Sequence, residues 1–292
     1  MRGETRKSCQ PAMELNRPSR TAQGAALHRA AHQLVDLPPV FADPLALRIV
    51  GDEAAGELRA GKGRHALVES TPLRAFIATR SRFTEDSLAE AHASGVRQYA
   101  ILGAGLDTFA YERARRFEGL AIFEIDHPAT QGWKRARLGE AGIAIPDSVT
   151  YAPVDFERDT LANGLARAGF DSSRPAFFAW LGVTPYLTRE AITATLAFIA
   201  SLKPGSGVVF DYAQAPGALH SAHFEAMAAR VAALGEPFRS LLDPAELVRD
   251  LARLGFKRIE NFGADALNAR YFRGRADGLK LVGRGHLMRA GV

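Results

Sequence analysis

Between residues 98 and 128 the chain reads QYAILGAGLDTFAYERARRFEGLAIFEIDHP: an apolar run, a glycine turn, a short helical stretch, a second apolar run and an acid at its end. That order describes the opening β-α-β unit of a nucleotide-type α/β fold, whose first turn meets the ligand. Residues 99–102 are predicted as a buried strand, and FEID as the close of the next. Gly103 and Gly105 lack a Cβ, so the backbone there turns sharply and can come close to a ligand. Asp126 ends the second strand, about twenty residues beyond Gly105, where a carboxylate can accept hydrogen bonds from both hydroxyls of a ribose. The pattern points to an adenosine-containing ligand.

A dinucleotide site carries a third glycine, in the pattern G-x-G-x-x-G, which lets the next helix pack under a pyrophosphate. Thr108 stands in that place here, and Asp107 beside it adds negative charge. A pyrophosphate would be repelled, whereas a sulfonium or an ammonium would be tolerated. S-adenosylmethionine carries both cations and no phosphate. Three alternatives stand beside it: an NAD-dependent oxidoreductase, a binding protein that keeps the fold without the chemistry, and a GAGLD that is only a strand-to-helix turn.

A second acid, Asp155, follows the predicted third strand in VTYAPVDFE. It is placed to accept the exocyclic amine of adenine, while the N–H of Phe156 donates to the ring and its side chain covers one face of the base. The plainer role for Asp155 is to cap the helix that follows. Acids at two successive strand ends favour the cofactor reading.

Strand and helix patterns alternate through the rest of the chain. Helices are expected over residues 21–34, 45–50, 73–93, 127–141, 161–168, 189–202, 219–234 and from Pro244, which Asp243 caps. Strands are expected over 149–154, 176–181, 207–212, 256–262 and 279–287. Residues 51–64, rich in glycine and charge, are read as a loop or a loosely held helix. Residues 1–18 form a polar tail without the apolar stretch of a secretory signal, and Met13 is a second candidate start. Residues 19–292 are then one unit, with a helical cap over about 19–95 and a core over about 96–292.

The single cysteine, Cys9, supports neither a disulfide framework nor a zinc cluster and suits a reducing cytoplasm. No apolar run reaches the ~20 residues needed to span a bilayer. The net charge of +5 raises the question of nucleic acid, but no basic strand interleaved with aromatics is present. The arginines of RARR and KRAR are read as solvated helix faces.

ILGAGLDT, FEIDHPATQGWKRARL, APVDFERD and WLGVTPYLT, with the upstream RSRFTEDSL and FADPLA, together resemble bacterial S-adenosylmethionine-dependent methyltransferases of the leucine carboxyl methyltransferase type. The resemblance runs from about Thr21 onward. It implies an α/β fold of class I (Rossmann-like): a seven-stranded sheet, mostly parallel, with the last strand antiparallel. It also implies cofactor contacts at Arg80, Gly103, Asp126, Asp155 and Phe156. An arginine can bind the cofactor's carboxylate bidentately. Arg80 and Arg82 lie two apart on one helix, so only one can face the site, and the family pattern selects Arg80. One departure stands out: Leu181 occupies the place where many relatives carry a glutamate after the fourth strand. Trp180, Tyr186 and Tyr212 are candidates for an acceptor pocket, and Trp180 is equally a core residue. The expected acceptor is a small molecule. A carboxylate acceptor needs no general base, whereas a hydroxyl would be helped by one, and His127 and His223 are the nearest in sequence.

Overall fold

The computed structural model describes residues 19–62, 70–155, 159–215, 229 and 237–292. Its frame is one seven-stranded sheet: β1 (Gln98–Leu102), β2 (Ala121–Asp126), β3 (Val149–Pro153), β4 (Phe177–Trp180), β5 (Gly207–Ala213), β6 (Arg258–Phe262) and β7 (Gly285–Gly291). The order across the sheet is β3-β2-β1-β4-β5-β7-β6. The first five strands pair in parallel, and β7 runs antiparallel to both β5 and β6. This is the class I arrangement expected from the sequence. β1 is buried at all five positions, as an apolar central strand covered on both faces must be.

Helices α1 (Arg20–Val35), α2 (Ala46–Ile49), α3 (Asp52–Arg59) and α4 (Thr71–Ala93) precede the sheet. Between its strands come α5 (Pro128–Glu140), α6 (Leu161–Arg167), α7 (Arg189–Ala200), α8 (Pro244–Leu254) and α9 (Ala264–Tyr271). The pleat of β1 divides them between two layers. Tyr99 and Ile101 pack with Ala26 of α1, Phe83 of α4 and Leu267 of α9. Ala100 and Leu102 pack on the other side with Leu165 of α6, Ile192 of α7 and Leu247 of α8. The N-terminal helices therefore share a core with the sheet.

Several boundaries differ from expectation for identifiable reasons. Residues 52–59 form a regular helix, entered through Gly51 at φ +91°. The stretch after the glycine turn is two short 3-10 turns, Phe109–Tyr111 and Arg113–Arg116. β6 starts late because Gly255, left-handed at φ +107°, ends α8, and the Phe256 N–H returns to Leu251 O at 3.2 Å. Leu281 is not yet in a strand: Asn268 of α9, a helix the sequence reading missed, clamps its backbone N–H and C=O at 2.7 and 2.9 Å. Of the helix expected over 219–234, only Ala229 lies among the described residues, and it is helical. The tail over 1–18, with Cys9 and Met13, lies outside them, as does His223. No described helix is long and apolar enough to cross a membrane.

α8 begins as its sequence dictates, with Pro244 in the first turn and Asp243 Oδ1 accepting the Glu246 N–H at 2.9 Å. Asp243→Ala should cost about 1 kcal/mol of stability, seen as a lower urea midpoint at an unchanged slope.

Candidate active site

β1 and β4 lie side by side, yet from β1 the chain builds outward through β2 and β3, and from β4 the opposite way. Ligands bind in open α/β sheets at such a switch point, beyond the carboxyl ends of the strands. The turns after β1 and β4 meet there. A Cβ on Gly103, at φ +67°, would run into the Val183 side chain. A Cβ on Gly105, at φ +43°, would stand 3.0 Å from Cβ of Ala22 on α1. The expected sharp turn is present, and its closest approaches are to Val183 and Ala22.

Five amides of this turn are consumed internally. Gly103 and Ala104 both donate to Ile125 O, at 2.8 and 3.1 Å, and Asp107 donates to Ala104 O at 2.8 Å. Gly105 donates to Asp126 Oδ2 at 2.6 Å, and Phe109 to Asp107 Oδ1 at 2.8 Å. A phosphate cradle needs converging, unpaired N–H groups. These five point elsewhere, which opposes a bound pyrophosphate.

Asp126 sits half-buried at the tip of β2. Its Oδ1 accepts the His127 N–H at 2.7 Å. Each carboxylate oxygen can accept about two bonds, so both keep capacity for ribose hydroxyls. Burial pushes its pKa above the ordinary value, against the pull of the Gly105 and His127 N–H groups. The Val154 N–H bonds Asp126 O at 3.0 Å, which sets the ends of β2 and β3 side by side, and Asp155 follows directly. Phe156 lies outside the described residues. His127 Nδ1 accepts the Ala129 N–H at 3.2 Å and caps α5, which fits a turn residue better than a base.

Arg80 and Arg82 do face different ways. Arg82 pairs with Asp86 on the surface. Arg80 reaches inward, and its Nη1 donates to Asp211 Oδ2 at 2.9 Å. Asp211 Oδ1 takes the Gly182 N–H at 2.5 Å. Gly182 is at φ +73°, and a Cβ there would lie 2.6 Å from Arg80 Nη2. Among the described residues, Nη2 makes no hydrogen bond, so it remains able to bind a carboxylate. The sequence reading missed Asp211, although its signal was visible: FDY puts an acid near the tip of a fifth apolar strand. Asp211 supplies a carboxylate at the turn where Leu181 leaves none. Trp180 and Tyr212 are both 2% exposed and pack in the layer opposite α4. They fill core, and the Tyr212 hydroxyl donates to Asn261. Tyr186 is half-buried against Phe238.

The reading of RARR and KRAR as solvated faces holds for the exposed Arg115, Arg116 and Arg135, but Arg113 and Lys134 depart from it in two buried ion clusters. Arg113 bonds Asp43 Oδ1 at 2.8 Å and Glu85 Oε1 at 2.6 Å. Lys134 lies 2.7 Å from Glu124 Oε2, both side chains 1% exposed. An arginine or lysine next to an acidic strand or helix can be pulled inside as a pair, and composition alone does not reveal this. Burial works against the Asp43 carboxylate, but Arg29, Arg113 and Thr108 hold its pKa below the ordinary value. His28, on α1, has a buried Nδ1 without a hydrogen-bond partner. Burial, then Arg74 and Arg80, push its pKa down to about 4.

A family model described as leucine carboxyl methyltransferase matches residues 22–200. The chain belongs to this family. The match spans α1 through α7 and so includes Arg80, both turn glycines, Asp126 and Asp155. YktD of Bacillus subtilis, whose name assigns it provisionally to the S-adenosyl-L-methionine-dependent methyltransferases, is 31% identical over 95% of this chain and 99% of its own length. A similarly named protein of Mycolicibacterium paratuberculosis is 38% identical, over 57% of this chain and 55% of its own. Among solved structures, a Thermobifida fusca protein provisionally named a methyltransferase superposes with a TM-score of 0.59 at 18% identity, covering 97% of this chain and 99% of the other. A Streptomyces avermitilis protein of the DUF574 family gives 0.55 at 17% identity, covering 90% and 96%. At such identities these structures speak for the fold alone.

Proposed function

We propose that this chain transfers a methyl group from S-adenosylmethionine to an oxygen atom of a small molecule. The observation that carries this reading is the switch-point turn: five of its amides are paired off, and acids stand at the tips of β2 and β3. Asp126 receives the ribose hydroxyls, and Asp155 with Phe156 receives the adenine. Arg80 receives the carboxylate of the methionine moiety, and Gly103 and Gly105 set the turn beneath it. The cofactor supplies a methyl already activated on a sulfonium. The chain's own residues hold the acceptor in line and keep water away. Residues 19–95 act with the core as one unit, since Ala22 borders the turn after β1 and Arg80 the turn after β4.

The family description names a carboxyl acceptor, which is an oxygen nucleophile. A carboxylate is ionised at neutral pH, so no residue is assigned as a base. An oxidoreductase using NAD is disfavoured by the paired amides.

Isothermal titration with S-adenosylhomocysteine tests the cofactor, with micromolar affinity as the expected result. A labelled-methyl assay over sets of small carboxylic acids and small alcohols or phenols then tests the acceptor. Well-folded protein that ignores S-adenosylhomocysteine but perturbs NADH absorbance would overturn the proposal.

A further inference from the structure

Thr108 stands where a dinucleotide fold has its third glycine, and its side chain has a specific use. It is wholly buried, and its Oγ1 donates to Asp43 Oδ2 at 2.6 Å. Asp43 is also bonded by Arg29 Nε at 2.8 Å and by Arg113 Nη1 at 2.8 Å. Arg29 extends a second donor, Nη2, to Leu106 O at 2.6 Å. Two points of the glycine turn, Leu106 O and Thr108 Oγ1, are thus held from behind by residues that precede the sheet. Arg113 carries the network on to Glu85 at 2.6 Å. Glu85 lies on α4, the helix that presents Arg80. One set of buried charges fixes both the turn and the helix on which the arginine stands.

We propose that Arg29, Asp43 and Thr108 are positioning residues for the cofactor: the N-terminal segment holds the glycine turn in its binding shape, and a threonine replaces glycine in order to be held. The inference rests on the cofactor reading above. A glycine at 108 would leave Asp43 with one donor fewer in a dry site, where a hydrogen bond to a charged group is worth more than one between neutral groups. A dinucleotide protein meets the opposite demand at that position, close packing under a phosphate.

The test compares Thr108→Val, which keeps the shape and removes the hydroxyl, with Thr108→Ser, which keeps the hydroxyl. Thr108→Val should weaken S-adenosylhomocysteine binding about tenfold, the effect of losing one hydrogen bond to a charged group, while Thr108→Ser stays within about threefold of the parent. Amide exchange of the ligand-free proteins is measured in parallel. Exchange at Gly105 should quicken in Thr108→Val and not in Thr108→Ser. A residue that only stabilised the fold would lower the melting temperature of the valine variant and leave the affinity of its folded molecules unchanged. That outcome, or unchanged exchange at Gly105, overturns the inference. Should Thr108→Val not fold, Arg29→Lys replaces it. It keeps a cation beside Asp43, loses the bond to Leu106 O, and overturns the inference if it binds as the parent does. A parent protein that takes up no S-adenosylhomocysteine would sink the cofactor reading, and the exchange data would still decide whether Thr108 holds the turn.

Discussion

Asp126→Ala is expected to reduce S-adenosylhomocysteine affinity by a hundredfold or more while leaving a folded protein. Hydrogen bonds to a charged acceptor are each worth about 1.5–3 kcal/mol, and two ribose hydroxyls are lost together. Every ~1.4 kcal/mol is a factor of ten. The same carboxylate also receives the Gly105 N–H at 2.6 Å, so the turn loosens and the melting temperature falls modestly. Affinity should depend on pH as well. The carboxylate form accepts both hydroxyls, and burial has raised the Asp126 pKa. Binding should therefore weaken on acidification, starting above the ~3.9 of an ordinary aspartate. An Asp126→Ala variant that titrates within about threefold of the parent would remove Asp126 from the site.

Lys134→Met should be the most destabilising of these substitutions, by about 3–5 kcal/mol in urea unfolding. It leaves Glu124, in the middle of β2 and 0% exposed, without its cation. Glu124 Oε1 already has no hydrogen-bond partner, and Oε2 would keep only the Tyr111 hydroxyl at 2.9 Å. Burial raises the Glu124 pKa even with Lys134 opposing it. A group whose pKa is raised by folding contributes its stability below its unfolded pKa and loses it as pH rises through the folded one. The lysine-less protein should accordingly be weakest at alkaline pH and recover part of its deficit toward pH ~4–5. Adding Glu124→Gln should restore part of the loss at neutral pH. A single variant as stable as the parent at pH ~8 would mean that water reaches this pair.

What could be read in the sequence follows the physics of each element. β1, β2 and β4 were legible as short, mainly apolar runs, as central parallel strands are, and the glycine turn because only glycine readily accepts its backbone angles. Helical geometry showed that only one of Arg80 and Arg82 could face the site, and the family pattern chose Arg80. The missed charge pairs share one cause: the deciding partner lies far away in sequence. Asp211 meets Arg80 across 131 residues, and Arg113 meets Asp43 across 70. No local pattern announces that such charges will be buried together. The delayed start of β7 likewise depends on Asn268 capturing Leu281. Tyr212 was misplaced and Trp180 left open because an aromatic residue near a strand tip looks the same whether it lines a pocket or fills a core. Which face of its strand it occupies depends on register, and that was not fixed until the strands paired.

The insertion of β7 between β5 and β6 bears on how the molecule is made. During synthesis β6 emerges before the strand that will join it to the rest, so it has no neighbour until Gly285–Gly291 follow. The five parallel strands can assemble on the ribosome in the order in which they appear, but the outer margin of the sheet must wait for β7. Until then the open side of β5 is a place where nascent molecules can pair with one another, so slow translation or early termination in this region should favour aggregation over folding.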